Sequence, residues 1–435
     1  LVTAELLADL KAIFPELKMA GEESVTIFPK KEEEIAKVMA YCNDSKTTVS
    51  VVGGGTKQGW GTPAKTQIQL SLEDYTGIVE HTPGDMTVTV KAGTTFKELQ
   101  GFLAQHSQKL ALDPSWPAYA TVGGVIASND SGPKRLGYGI ARDSVIGLRT
   151  VYPDGRIIRS GGRVVKNVAG YDMNKLFIGS MGTLGIISEV TFKLRPLPKC
   201  ESLALLSFPE GNLEEVRRFA IKLLDSMMEP VALELLNPFM AGNMADRNCY
   251  TLAISFEDVE TSVRYQEQYI KANQPARTSL DILTDEEAKA FWNKLYTAAP
   301  CGLDSLEEGT GSNKETAAAM KIGIVNLKVL DVIRECQLLS DGGQVAAEAH
   351  GGLGTGICQV VLRGSDDQVA AGIMHLRKFA VQEGGYAVVK HLPEVLGGKV
   401  DAWGDKPSYF PLMEGIKAKM DPNRILNPNA FIGGI

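Results

Sequence analysis

The chain has 435 residues, enough for two or three domains at about 100–200 residues each and too many for a peptide hormone, a disulfide scaffold or a minimal binding module. Hydrophobic residues make up 44% and charged residues 22%, the composition of a soluble globular protein rather than a disordered or fibrous one. The 45 Lys and Arg against 52 Asp and Glu leave a net charge of −7, which argues against nucleic acid as a partner, because such binding rests on phosphate neutralisation.

Val25 to Phe28 is a short β-rich run, followed by Pro29 and the acidic cluster Glu32 to Glu34, which predicts a helix through Ala40 with Ile35, Val38 and Met39 on one face. A second strand, Thr47 to Val52, runs into Gly53, Gly54 and Gly55. A similar β-α-β unit is expected next: strand Thr87 to Lys91, Gly93 and Thr94 as turn and cap, a helix with Phe96, Leu99, Phe102 and Leu103 at helical spacing, and strand Leu110 to Leu112. From Ser131 to Lys199 basic residues exceed acidic ones by eight, inside a chain that is acidic overall. Such a basic, glycine-dense stretch suits close backbone approach to an anion, an acidic partner subunit, or charges spread over a sheet exterior.

The prolines of Arg195 to Lys199 mark a boundary. Beyond it, strands are predicted at Leu203–Phe208, Val231–Leu236, Tyr250–Phe256, Gly323–Val329, Ile357–Leu362 and Tyr386–Lys390. Helices are predicted at Leu213–Met227 and Val263–Asn273, from Val332, and at Gln368–Gln382. This succession predicts a separate α+β domain with helices on one face of a sheet. Asn237 to Asn326 reads as an insertion suited to a partner interface, and the tail from Met413 as a helix and a turn-rich segment that docks elsewhere.

The longest uncharged run in the glycine-rich middle, Pro114 to Asn129, holds two prolines and cannot span a bilayer, which needs about 20 apolar residues. Leu1 opens without a basic n-region or an apolar h-region, so the expectation is a cytoplasmic chain, reaching the inner face of the membrane at most through partners. Six cysteines stand without a CxxC pair, which predicts reduced, mostly buried thiols and neither a zinc nor an iron–sulfur site.

Three glycine-rich segments carry the chemistry. In VVGGGTKQGWG, Val51 to Gly61, consecutive glycines after a strand free N–H groups to converge on a phosphate or pyrophosphate, although a tight turn at a strand end explains them as well. No GK[ST] follows, and Gln58 stands where a Rossmann fingerprint needs Gly or Ala. The second segment is DPSWPAYATVGGVIASNDSGPKRLGYGIARDSVIG, Asp113 to Gly147. The third, KNVAGYDMNKLFIGSMGTLGIISEVTFKL, Lys166 to Leu194, spaces Gly179, Gly182 and Gly185 at three-residue intervals before a strand.

Together these segments resemble the FAD-binding domain of the vanillyl-alcohol oxidase and p-cresol methylhydroxylase (PCMH) flavoprotein superfamily, and within it the smaller flavin-binding subunit of bacterial glycolate oxidase, whose ending resembles DPNRILNPNAFIGGI. The resemblance implies an α+β fold with a PCMH-type FAD-binding domain of two α/β subdomains over residues 1–198. It further implies an α+β cap over 199–405 and a C-terminal segment, 406–435, returning to the FAD domain. It implies that Gly53, Gly54, Gly55, Thr56, Lys57 and Gln58 hold the pyrophosphate, and that Pro114, Thr121, Gly123, Gly124, Ser128 and Asn129 line pyrophosphate and flavin. Gly132, Arg135, Tyr138, Gly139 and Asp143 would flank the ribityl or adenine side, with Gly182, Gly185, Ile187 and Asn427 completing the site. The first loop holds no His or Cys to attach a flavin, so FAD is expected to bind noncovalently.

Relatives that oxidise D-2-hydroxy acids are expected to carry a His-x-Gly-x-Gly-Asn-x-His element and a Glu-His pair. Here the corresponding segments read EAHGGLGTGICQV and VKHLPEVLGG, leaving His350 and His391, and no metal is expected. Oxidising a 2-hydroxy acid requires a base, a cation on the carboxylate and a hydride acceptor. His350 or His391 is the candidate base, Lys390, Arg135 or Lys328 the candidate clamp, and Trp403 a candidate shield, each also readable as an ordinary structural residue. The resemblance thus implies an FAD-dependent subunit of a glycolate- or D-lactate-oxidising complex, with a second flavin subunit and an iron–sulfur subunit as partners. Its alternatives are a chain that oxidises its own substrate and a noncatalytic or electron-relay subunit.

Overall fold

The computed structural model describes residues 4–14, 18–20, 25–61, 64–162, 171–303 and 315–435. The stretch 166–170, with which the third glycine-rich segment begins, lies outside them. The chain divides into two units: Leu1–Asp130, Ile140–Pro196 and Asp405–Ile435 form the first, and Ser131–Gly139 with Leu197–Gly404 the second.

The first unit holds a four-stranded sheet of β1 (Lys18–Ala20), β2 (Val25–Phe28), β3 (Val49–Val52) and β4 (Ile68–Ser71), in the order β1-β2-β4-β3, with β4 parallel to both β2 and β3. The connecting helix Glu32–Ser45 forms as the periodicity predicts. Its three glutamates sit at the positive end of the helix dipole, Ile35, Val38, Met39 and Cys42 are buried on one face, and Lys46 closes it in the left-handed region at φ 55°.

A five-stranded sheet follows: β5 (Ile78–Thr82), β6 (Thr87–Lys91), β8 (Val145–Val151), β9 (Ile157–Gly161) and β10 (Ile186–Lys193), ordered β5-β6-β10-β8-β9 and antiparallel throughout. The expected second β-α-β unit is therefore absent here. Leu110–Leu112 forms no strand, because the side chain of Gln100 takes both polar groups of Leu110, accepting its N–H at 3.0 Å and donating to its carbonyl at 2.7 Å. Only the short β7 (Gln108–Lys109) pairs, with β11 (Arg195–Pro196). The helix Phe96–Ala104 is capped by Thr95 rather than Thr94, whose hydroxyl accepts the Gly77 N–H at 2.9 Å.

The second unit is built on one antiparallel sheet of eight strands: β12 (Cys200–Phe208), β13 (Ala232–Leu236), β14 (Tyr250–Asp258), β15 (Ser279–Thr284), β16 (Thr316–Gly323), β17 (Ala346–Gly352), β18 (Ile357–Gly364) and β19 (Tyr386–His391), ordered β15-β12-β14-β13-β17-β18-β16-β19. Alternate residues such as Leu206, Leu235, Ile254, Met320, Ala349, Val360 and Val389 face a core closed by helices Leu213–Leu224, Glu260–Asn273, Val329–Asp341 and Asp366–Gln382. Helices Pro238–Ala245 and Glu286–Tyr296 cover part of the opposite face through Leu203, Leu205, Leu236, Met240, Phe291 and Trp292.

The strand expected at Gly323–Val329 lies one strand length earlier, at Thr316–Gly323. Burial on both faces overrides the low strand propensity of Ala317–Ala319, and the Tyr386 ring fills the space that a side chain at Gly323 would need. No helix among the described residues is long and apolar enough to cross a membrane.

Candidate functional site

Strand β3 delivers Gly53 to Gln58 into a cleft within the first unit. Its walls include Thr121, Gly123, Gly124 and Ser128 of the second glycine-rich segment, Gly182, Gly185 and Ile187 of the third, and Asn427 of the tail. The three segments anticipated from sequence thus meet in one place.

The approach is too close for side chains. A Cβ on Gly53 would lie 2.1 Å from Thr121 Oγ1, and one on Gly54 would lie 1.7 Å from the Tyr119 carbonyl oxygen. Thr121 caps the helix Val122–Ser128 and accepts the Gly124 N–H at 3.4 Å, while the Gly123 N–H donates to Ala92 O at 2.8 Å. Among the described residues, the N–H groups of Gly53, Gly54, Gly55 and Thr56 donate to no other protein group. Four such donors in one loop, on a cleft that continues to the apolar residues Leu72, Ala92 and Ile187, fit a diphosphate joined to a larger, less polar group.

The protein-family description "FAD binding domain" matches residues 24–161, the span that contributes most of this cleft. Across the whole chain, a mitochondrial D-lactate dehydrogenase [cytochrome] of Arabidopsis thaliana is 27% identical over 95% of this chain and 74% of its own. The glycolate oxidase subunit GlcD of Bacillus subtilis is 26% identical over 92% and 87%, and a D-lactate dehydrogenase of Archaeoglobus fulgidus 27% over 95% and 92%. Among solved structures, a 4-ethylphenol oxidase from Gulosibacter chungangensis has the same fold with a TM-score of 0.73 at 15% identity, covering 99% of this chain and 98% of the other. p-Cresol methylhydroxylase gives 0.69 at 15%, covering 97% and 92%.

The chain is an FAD-dependent oxidoreductase with an FAD binding domain at residues 24–161 and the fold of p-cresol methylhydroxylase. Its cofactor is FAD. Of the residues expected to hold it, Gly53 to Gln58, Thr121, Gly123, Gly124, Ser128, Gly182, Gly185, Ile187 and Asn427 line the cleft. Trp60, Met181 and Ala127 line it too, without a signal in the sequence beyond their position near the glycines.

The other expected cofactor ligands are not among the residues that line this cleft. Pro114 is buried outside its lining. Asn129 adopts φ 50° at the end of its helix, with a buried Oδ1 that has no hydrogen-bond partner among the described residues. Asp143 Oδ2 accepts the N–H of Ile140 at 2.8 Å and caps a local turn. Gly132, Arg135, Tyr138 and Gly139 fall in the second unit. There Tyr138 donates to Glu257 at 2.6 Å, and Lys134 bridges Glu201 at 2.6 Å and Glu257 at 2.5 Å. Burial alone would push the Lys134 ammonium down, but the two carboxylates more than offset it and hold its pKa above the usual lysine range.

In the second unit of the flavoprotein, the sheet face left open by the two shorter helices carries a polar row. His350 on β17 stands opposite Gln359 on β18, which stands opposite Lys321 on β16. Cross-strand partners share a face, so the three lie side by side. His350 Nδ1 is 2.7 Å from Glu234 Oε2, with both side chains buried. Lys390 Nζ reaches Gln359 Oε1 at 3.4 Å. His391 stands opposite Ala319 on the edge strand β19, buried, and beside a register shift.

The sequence reading missed Glu234, Lys321 and Gln359. Glu234 had a signal: an acid in the middle of the apolar run ALELL, all five of whose residues are buried. The remaining candidates lie elsewhere. Lys328 pairs with Glu383 at 2.7 Å, Arg135 donates to Ser131 Oγ at 3.3 Å, and Trp403 packs against the helix-covered core. No group of three or more His, Cys, Asp or Glu residues among those described is placed to hold a metal ion.

Proposed function

We propose that this FAD-dependent oxidoreductase oxidises a small 2-hydroxy acid, glycolate or D-lactate. The observation that carries this reading is the buried His350–Glu234 pair beside Gln359, Lys321 and Lys390. The names of the relatives support the substrate class.

FAD, when bound, supplies the acceptor for the hydride that leaves the substrate's α carbon. The residues of the second unit supply the rest. With Nδ1–H donating to Glu234, the imidazole is held as the tautomer whose Nε2 carries the lone pair, and Nε2 takes the hydroxyl proton. Glu234, buried against the ring, stabilises the imidazolium that results. The ammonium groups of Lys321 and Lys390 attract the substrate carboxylate, and Gln359 orients it by hydrogen bonding.

The assembly reading is that of a subunit in a complex with a second flavin chain and an iron–sulfur chain that receives the electrons, supported by the similarity to a glycolate oxidase subunit. The test is an anaerobic absorption spectrum of the purified chain, alone and with co-purified subunits, before and after glycolate, D-lactate or L-lactate. Bleaching of the visible flavin band by glycolate or D-lactate is expected. A flavin that stays oxidised with every 2-hydroxy acid, alone and in the assembly, would refute the substrate class.

A further inference from the structure

The geometry points to Lys57 and Asp130 as a positioning pair for the diphosphate-binding loop, rather than to Lys57 as a ligand of the cofactor. This inference rests on FAD binding in the cleft described above.

A lysine among the glycines of a phosphate-binding loop is the residue one would aim at the anion. Here its ammonium is already held. Lys57 Nζ lies 2.5 Å from Asp130 Oδ2 and 3.1 Å from Ser115 Oγ. The same carboxylate oxygen accepts the Ser115 N–H at 3.1 Å and the Ser115 hydroxyl at 2.7 Å. The Asp130 N–H in turn donates to Val125 O at 3.1 Å, at the end of the helix that Thr121 caps. One polar knot therefore ties the loop after β3, the turn at Ser115 and the helix Val122–Ser128, all three of which border the cleft or lead into it.

Burial decides its role. The Lys57 side chain is 13% exposed and that of Asp130 3%, so water screens the pair weakly and separating the two is costly. Asp130 is also the only acid between Asp113 and Asp143. Neutralised by it, Lys57 leaves the anion to the N–H groups of Gly53 to Thr56, and the tie keeps those groups converged before the cofactor arrives.

A cofactor ligand and a positioning pair differ in the sign of the Asp130 effect. If Lys57 bound the diphosphate, freeing it from Asp130 would strengthen FAD binding. If the pair positions the loop, losing either partner weakens it.

The experiment measures the FAD dissociation constant of folded apoprotein by flavin fluorescence for wild type, Lys57→Met, Asp130→Asn, the double variant and Lys57→Arg, at two salt concentrations. Each single loss is expected to raise the dissociation constant about tenfold, from the loss of charge-assisted hydrogen bonds. The double variant should be no weaker than the weaker single one, Lys57→Arg should stay within about threefold of wild type, and the salt dependence should not change. Unchanged or tighter binding in Asp130→Asn overturns the inference, and so does an additive double variant. A reduced salt dependence in Lys57→Met also overturns it, by placing that charge on the cofactor. Asp130→Asn preserves shape and decides the sign alone if Lys57→Met does not fold. Wild-type protein that binds no FAD would defeat the cofactor assignment instead, a result distinct from all of these.

Discussion

Asn427 closes the turn that begins at Val51, across 376 residues of chain: its Oδ1 accepts the Val51 N–H at 2.8 Å, and its Nδ2 donates to Met181 O at 3.0 Å. One side-chain amide so joins the strand that leads into the first glycine-rich loop to the third glycine-rich segment. Beside it, Val49 donates to Ile425 O at 2.8 Å and accepts from Asn427 N–H at 2.9 Å, extending the sheet with the tail. Replacing Asn427 by Ala leaves two backbone groups without their partner, at a cost of about 1–3 kcal/mol each where water cannot reach. The expected outcome is a lower unfolding midpoint and faster loss of FAD on gel filtration.

Gly123 and Gly124 are adjacent yet predict opposite phenotypes. A Cβ on Gly123 would lie 2.7 Å from Ala92 Cβ and 3.2 Å from its carbonyl, so Gly123→Val is expected to be insoluble or unfolded. On Gly124 a Cβ meets only Thr121 Oγ1, at 3.3 Å, and otherwise projects where the cleft is open. Gly124→Val should fold with wild-type circular dichroism and be isolated without flavin. Full flavin content in that variant would place the cofactor elsewhere.

The His350–Glu234 pair predicts a division between chemistry and cofactor binding. His350→Asn should lower the rate of flavin reduction by the 2-hydroxy acid by about 10²–10⁴, the range for loss of a general base, with FAD content unchanged. Glu234→Gln should lower it less, because the imidazole keeps a hydrogen-bonding partner. Stopped-flow reduction at saturating substrate measures both, and wild-type rates in His350→Asn would remove it from the role of base.

The flavin should leave intact on denaturation. No His, Cys or Tyr stands among the described residues that line the cleft, so these offer no such attachment point for the isoalloxazine ring. After acid precipitation the yellow colour is expected in the supernatant, and colour retained in the pellet would show a covalent link.

None of the six cysteines forms a disulfide among the described residues, and of the six Cys249 alone is partly exposed. Burial pushes the Cys42 thiol up to about 12 and holds those of Cys336 and Cys358 well above the usual range, so they are protonated and unreactive at neutral pH. An aromatic disulfide reagent should titrate one thiol rapidly in the native protein and six after unfolding.

The meeting of the glycine-rich segments in one cleft was legible in the sequence because close approach is a matter of backbone. Gly53, Gly54, Gly123 and Gly182 are needed where chains touch, and a run of glycines after a strand announces such contact. The helix Glu32–Ser45 and most of the sheet of the second unit were legible for the usual reason of periodicity. What escaped depended on pairing. Nothing local shows that β6 runs antiparallel to β10, or that the side chain of Gln100 takes the polar groups of Leu110. The row from His350 to Lys321 arises only when three strands distant in sequence fall into register. Arg135 and Tyr138 were assigned to the flavin by their neighbours in the chain, whereas the contacts of their segment, through Lys134 and Glu257, lie in the other unit.

The return of the tail to β3 has a consequence for biosynthesis. Asn427 lines the cleft, yet Leu197–Gly404, the greater part of the second unit, come off the ribosome between Ile187 and that asparagine. A nascent chain that has already made all three glycine-rich segments still lacks one wall of the pocket, and must hold its apolar sheet edge unpaired until the segment that carries Asn427 has been made. Cofactor capture therefore waits until the residues of both units have been made, and a shortage of flavin should be felt as degradation of synthesised chains rather than as stalled synthesis.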